Sequence, residues 1–111
     1  MLENNNKLFI KVLEEIKIIE EYREQYFNSI GLIKSSTLDG IIFRLIQLSE
    51  YLDLVDELFQ NAHPEIPWRK IKGFRNRLVH DYGGVDLEFI EIALKKDIPL
   101  LKEQLSKYIV D

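Results

Sequence analysis

The run Arg75-Asn76-Arg77-Leu78-Val79-His80-Asp81-Tyr82 gathers an arginine, an amide, an imidazole and a phenol within a few residues. Those four groups suffice for chemistry on a phosphodiester without a metal. A guanidinium can hold a phosphate through its fork of N–H donors, and an imidazole titrates near neutral pH and can move a proton. On a helix, Asn76 and His80 stand one turn apart on a common face, so the amide can reach the imidazole and fix its ring and tautomer. Arg69 and Gly73 fall on that same face. Arg75 falls near the apolar stripe of Ile71, Phe74 and Leu78, where an arginine needs an anionic partner. Asp39 or Glu50 of the preceding helix are the candidates. His80 and Tyr82 come at or just past the helix end, where the last turn can swing them towards Arg75.

Taken singly, each residue has a plainer role. A histidine at a helix C-terminus is a favourable charge at the negative end of the dipole. Arg75 alone is a salt-bridge partner, and Tyr82 before Gly83-Gly84 can lay its ring over the helix end. His63, ahead of a proline, reads as surface structure, and Trp68 as a core anchor for the helix it starts. Other chemistries lack their parts. The chain has no cysteine and two histidines, whereas zinc sites need three or four converging ligands. Ser35, Ser36 and Ser49 find no triad with so few histidines, and Gly83-Gly84 lacks the lysine and spacing of a phosphate-binding loop. No metal and no cofactor are expected.

The net charge of −4 argues against a general nucleic-acid binder, which needs clustered cations. The charge is unevenly spread, however. Arg69, Lys70, Lys72, Arg75 and Arg77 follow Trp68 with no acid among them, while Glu50, Asp53, Asp56 and Glu57 stand unopposed further up the chain. A basic patch on an acidic protein fits one specific phosphate-bearing ligand; a solvated helix face is the simpler alternative.

The elements that must position these groups are helical. Leu8, Phe9, Val12, Leu13, Ile16, Ile19 and Tyr22 recur every three or four residues, which predicts a helix from Leu8 to about Tyr26. Asn28-Ser29-Ile30-Gly31 breaks it. A second helix is expected from Ser36 or Thr37 as N-cap, with Asp39 in its first turn, running to Phe59 as the longest and most apolar element. His63-Pro64-Glu65-Ile66-Pro67 cannot continue a helix. The third helix follows from Trp68 to about His80 and stops at Gly83-Gly84. Asp86 can cap a fourth, and Asp97-Ile98-Pro99 reads as a cap plus an early-turn proline, a kink or a restart. With no strand alternation or repeat, the fold expected is all-α, an antiparallel bundle of four to five helices. At 111 residues it forms one domain, 1–111, with the motif segment at 64–84. No basic n-region with an apolar run opens the chain, and Ile41-Ile42-Phe43 is far short of a membrane span, so a cytoplasmic protein with no membrane contact is expected.

At the motif the sequence resembles the HEPN superfamily. Arg75-Asn76-x-x-x-His80-x-Tyr82 is similar to its R-N-x3-H-x-Y form. The flanks Pro64-Glu65-Ile66-Pro67-Trp68-Arg69, Ile71, Gly73 and Leu78-Val79-His80-Asp81-Tyr82, with the later Asp97-Ile98-Pro99-Leu100-Leu101-Lys102, resemble the HepT-like toxin branch. The resemblance runs loosely from about Leu8 to Tyr108. It implies an all-α two-fold homodimer whose motif helices line a shared cleft. It also implies a metal-independent endoribonuclease acting as the toxin of a toxin–antitoxin pair. Arg75 and His80 would then be catalytic, Asn76 and Tyr82 supporting, and Arg69, Lys70, Lys72 and Arg77 would bind RNA. The implied partner is an MNT-type nucleotidyltransferase antitoxin that can transfer AMP to Tyr82. The alternative is a non-catalytic HEPN module that binds a nucleotide, RNA or that partner. Where the family commonly has Gly-Glu-Ala in the second helix, this chain has Ser49-Glu50-Tyr51, keeping the acid and replacing its small neighbours.

Overall fold

The computed structural model describes residues 2–80 and 86–109, the side chains of residues 2, 3 and 80 excepted. Phe9, Val12, Ile16, Ile19 and Tyr26 form one buried face of α1 (Leu2–Phe27). The chain turns at Gly31, whose φ of +64° is a left-handed conformation that glycine adopts without strain. Helix α2 (Gly31–Asp53) then returns along α1. At Gly40 the two helices come close: a Cβ there would sit 3.1 Å from the Tyr22 ring. Ile41, Leu45, Leu48 and Leu52 of α2 are fully buried against α1 and the elements that follow.

Two bounds of α2 differ from the sequence expectation. The helix starts at Gly31 rather than near Ser36, with Ile30 extended at the N-cap position and no side-chain cap. Thr37, expected to cap, lies inside the helix, buried, where its hydroxyl donates to the Ile33 carbonyl at 2.7 Å and accepts from Gln25 at 2.6 Å. The helix also stops at Asp53 instead of reaching Phe59. Asp56 opens a separate short helix, α3 (Glu57–Ala62), by accepting from the Leu58 N–H, and its own N–H is taken by Asn5 of α1.

Helix α4 (Trp68–His80) has the bounds its sequence predicts. Trp68 is the expected anchor, 8% exposed, its indole N–H donating to the His63 carbonyl at 2.9 Å. Ile71, Phe74 and Leu78 face the core. Asp86 caps α5 (Leu87–Ile92) by accepting from the Phe89 N–H.

Asp97 does not cap; the α-helix restarts after it, with Pro99 in the first turn as the sequence suggests. Residues Ala93–Asp97 form a π-helical turn that runs directly into α6 (Ile98–Ser106). Pro99 explains it. A proline here would clash with the carbonyl one turn earlier and cannot donate to it, and the wider turn relieves the clash. In this turn the Ile98 N–H reaches back to the Ala93 carbonyl, so the donor due to the Leu94 carbonyl would come from Pro99, which has none. Arg23 of α1 supplies it instead, Nη1 donating to the Leu94 oxygen at 3.2 Å. The Asp97 backbone is helical, and its buried carboxylate pairs with Lys70 at 2.9 Å.

The architecture is therefore the all-α, HEPN-like bundle that the sequence implies, with no strand among the described residues. No described helix is long and apolar enough to cross a membrane.

Candidate active site

Opposite charges are stacked in register where α4 crosses α2. Arg75 Nε donates to Glu50 Oε1 at 2.9 Å, and Lys72 Nζ lies 3.4 Å from Asp53 Oδ1. Of the two partners foreseen for Arg75, Glu50 is the one in place. Arg75 does not lie in the apolar stripe, though: about half its side chain is exposed, because Phe74 takes the core-facing position. Its charge therefore stays hydrated and available to a ligand.

The two pairs line one wall-to-wall cleft of about 430 Å³, together with Ser49, Leu54 and Asn76. A second hollow of about 510 Å³ shares Asp53, Lys72 and Asn76 with it and continues to Gln60, Trp68, Arg69 and Gly73. Asn76 thus stands beside Arg75 in the cleft, on the face the spacing predicts. Residue 80 ends α4, and its side chain and Tyr82 lie outside the described residues. The expected contact between Asn76 and the imidazole falls there too.

The four candidate RNA contacts divide between two faces of α4. Arg69 and Lys72 open on the grooved face, and Arg69 also lines a hollow on the other with Lys70 and Arg77. Lys70 is held by Asp97, and Arg77 Nη2 donates to Asp86 at 2.9 Å while its guanidinium stacks 4.1 Å from the Phe89 ring centre. These last two tie α4 to the turn and helix that follow. Asp53 and Leu54 were not foreseen as site residues. A signal for Asp53 exists: Glu50 and Asp53 are spaced three apart on α2, as are Lys72 and Arg75 on α4, and they pair in reverse order as antiparallel helices require.

Tyr51, the bulky departure beside Glu50, is absent from the cleft lining. It is half-buried on the side facing α1, where Lys11 Nζ approaches its ring at 5.5 Å. Ser49 is buried, its hydroxyl donating to the Ile46 carbonyl. Both replacements leave Glu50 free to meet Arg75.

His63 is not the surface residue its position before a proline suggests. Its ring packs between Phe59 and Tyr108, and Nδ1 lies 3.3 Å from Glu65. The Tyr108 hydroxyl donates to the same Glu65 oxygen. That bond holds the Glu65 carboxyl below the usual range, helped by its own backbone N–H and by His63, and it raises the Tyr108 phenol above its usual value.

An all-α bundle in which a motif arginine and asparagine line a cleft between two antiparallel helices describes a class, and the comparisons give the family. The family model described as "Ribonuclease HepT-like" matches residues 12–108, and the chain belongs to that family. It is 33% identical over 96 residues to the probable ribonuclease HepT of Thermococcus cleftensis, covering 86% of this chain and 87% of that one. Two further relatives carry the name putative RNase. One, from Caldanaerobacter subterraneus subsp. tengcongensis, is 27% identical over 86% of both chains. The other, from Methanocaldococcus jannaschii, is also named a gamma-glutamylcyclotransferase; it is 32% identical over 86% of this chain, which spans 43% of its length. No solved structure matches the chain.

Proposed function

We propose that this protein is a metal-independent endoribonuclease that acts as the toxin of a toxin–antitoxin pair. The observation that carries the reading is the open cleft holding Arg75 and Asn76 one helical turn before His80, in a chain of the HepT-like family.

The reaction follows from the groups. A base takes the proton of a ribose 2′-OH, its oxygen attacks the adjacent phosphorus, and the bond from phosphorus to the 5′-oxygen breaks. That oxygen leaves with a proton from an acid. The products are a 2′,3′-cyclic phosphate and a 5′-hydroxyl. His80 serves as base or acid, a role worth on the order of 10²–10⁴-fold in rate. Arg75 stabilises the added negative charge on the pentacoordinate phosphorus, exchanging Glu50 for the phosphate. Asn76 orients His80 or binds a phosphate oxygen, and Tyr82 hydrogen-bonds the phosphate or stacks on a base.

Each chain offers one suitable histidine, so a two-fold homodimer with a shared cleft would bring a second copy of His80. The exposed apolar side chains Phe43 on α2, Leu54 just past its end and Val79 on α4 favour burial of that face. The partner in the pair is an MNT-type nucleotidyltransferase that silences the toxin by transferring AMP from ATP to the Tyr82 hydroxyl, with pyrophosphate leaving.

The test is cleavage of labelled RNA by the purified protein in EDTA, beside His80→Ala. Cyclic-phosphate ends that disappear in the variant are expected. RNA bound but left intact by an unmodified dimer would replace this reading with a binding module. For the partner, co-expression with an active nucleotidyltransferase is expected to add AMP to the intact mass, and Tyr82→Phe to abolish the increment; wild type that stays unmodified would end that part of the proposal.

A further inference from the structure

The two hollows on α4 form one track. The first holds Arg75, Asn76 and Lys72, the second holds Lys72, Gly73 and Arg69, and Lys72, Asn76 and Asp53 belong to both. Between Arg69 and Asn76 the helix rises about 10 Å, which is about three stacked nucleotide steps of 3.4 Å. Gly73 sits midway, and a Cβ there would meet nothing within 4 Å, so the track is open at its centre. Beyond Arg69 the hollow continues past Trp68 and Lys70 to Pro64 and Asn61.

Charge state separates the cations along this helix. Lys70 and Arg77 are bound to Asp97 and Asp86. Lys72 is shared between Asp53 at 3.4 Å and the Gln60 amide oxygen at 3.3 Å, both on the track. Arg69 is exposed and has no ion-pair or hydrogen-bond partner among the described residues. A cation without an acid, at the end of a groove that begins at the motif arginine, is placed to receive an anion.

We infer that this groove is a single-stranded RNA track, in which Lys72 holds the phosphate next to the scissile one and Arg69 holds a phosphate further along on the same side. The inference rests on the ribonuclease reading for the nature of the strand, and it deepens that reading in two respects. The substrate is an oligonucleotide extending several residues to one side of the cut, and not a dinucleotide. Arg77, though equally basic, lines none of these hollows, and Lys70, which lines the far one, is already held by Asp97.

The experiment is fluorescence anisotropy of labelled single-stranded RNAs of increasing length, with His80→Ala as the background so that nothing is cut. Affinity is expected to rise with length until Arg69 is reached and then level off. Arg69→Ala is expected to weaken the longer strands about tenfold, the loss of one charge-assisted contact, and to leave the shortest unchanged. The slope of log affinity against log salt should fall by about 0.7 for each phosphate contact removed. Lys17→Ala on α1 should leave that slope as it was. Asp53→Asn should tighten binding by freeing Lys72. Equal losses for Arg69→Ala and Lys17→Ala, or no dependence on length, would overturn the track. The two readings fail separately. RNA held in this pattern but never cut by wild type removes the ribonuclease and keeps the track; His80-dependent cleavage indifferent to Arg69 does the reverse.

Discussion

Arg75 meets Glu50 through Nε alone, one oxygen against one nitrogen, with about half of each side chain in water. An exposed pair of this kind contributes under about 1 kcal/mol to stability, so its value lies in holding the guanidinium at the cleft. Arg75→Ala should therefore lower cleavage by on the order of 10²-fold or more while the thermal midpoint stays nearly unchanged. Arg75→Lys should recover little, because an ammonium is a point charge without the fork. Single-turnover kinetics beside circular dichroism would check both. The sequence narrowed the partner of Arg75 to Asp39 or Glu50, since a cation on α4 and an acid on α2 are a simple complement, and packing selects Glu50. His63 was not. Its neighbours Phe59 and Tyr108 lie in different elements, and only packing brings such residues together.

The bounds of α4 could be read directly, because two prolines precede it and Trp68, Ile71, Phe74 and Leu78 mark its buried face at helical spacing. The start of α2 could not. Ser36 and Thr37 look like caps, yet the turn is made by Gly31 and the helix begins in exposed residues, Leu32 and Ile33, that pattern alone assigns to no face. The break before α3 was hidden by the apolar run through Leu52, Leu54 and Val55, and Asn5 stabilises it from the far end of α1. The π-helical turn gives a direct prediction. Arg23→Met should leave the carbonyl of the buried Leu94 unpaired, at a cost of about 1–3 kcal/mol, seen as a lower urea midpoint with an unchanged slope. The clasp of Tyr108 on Glu65 predicts a pH window. The Glu65 carboxyl is lowered in the fold, so its contribution is present above its unfolded value of about 4.3 and is lost as pH falls through the folded value. The Tyr108 phenol is raised, so its contribution is present below about 10 and is lost as pH rises through the folded value. The difference in thermal midpoint between wild type and Tyr108→Phe should be greatest between those limits and close towards both extremes.

Across the whole molecule, the apolar residues left outside the core cluster matter as much as those within it. Phe43 is 53% exposed and Val79 46% exposed, on the two helices that form the cleft. If the active form is a dimer closed over that face, Phe43→Asp should yield a monomer by light scattering and lose cleavage together with the dimer, while the helical signal persists. A dimer that survives the change would place the contact elsewhere. A different consequence follows from the bond that crosses from Arg23 to Leu94, joining positions 71 apart in sequence. Among the described residues, the carbonyl left over at the π-helical turn is made good by the opening helix of the chain. The closing helical segment therefore carries a fault that nothing within it can mend, and it should fray at Leu94 when excised as a peptide. Completion of the last helix waits on docking of the first, a closure between distant parts of the chain that slows folding but binds the two ends into one cooperative transition.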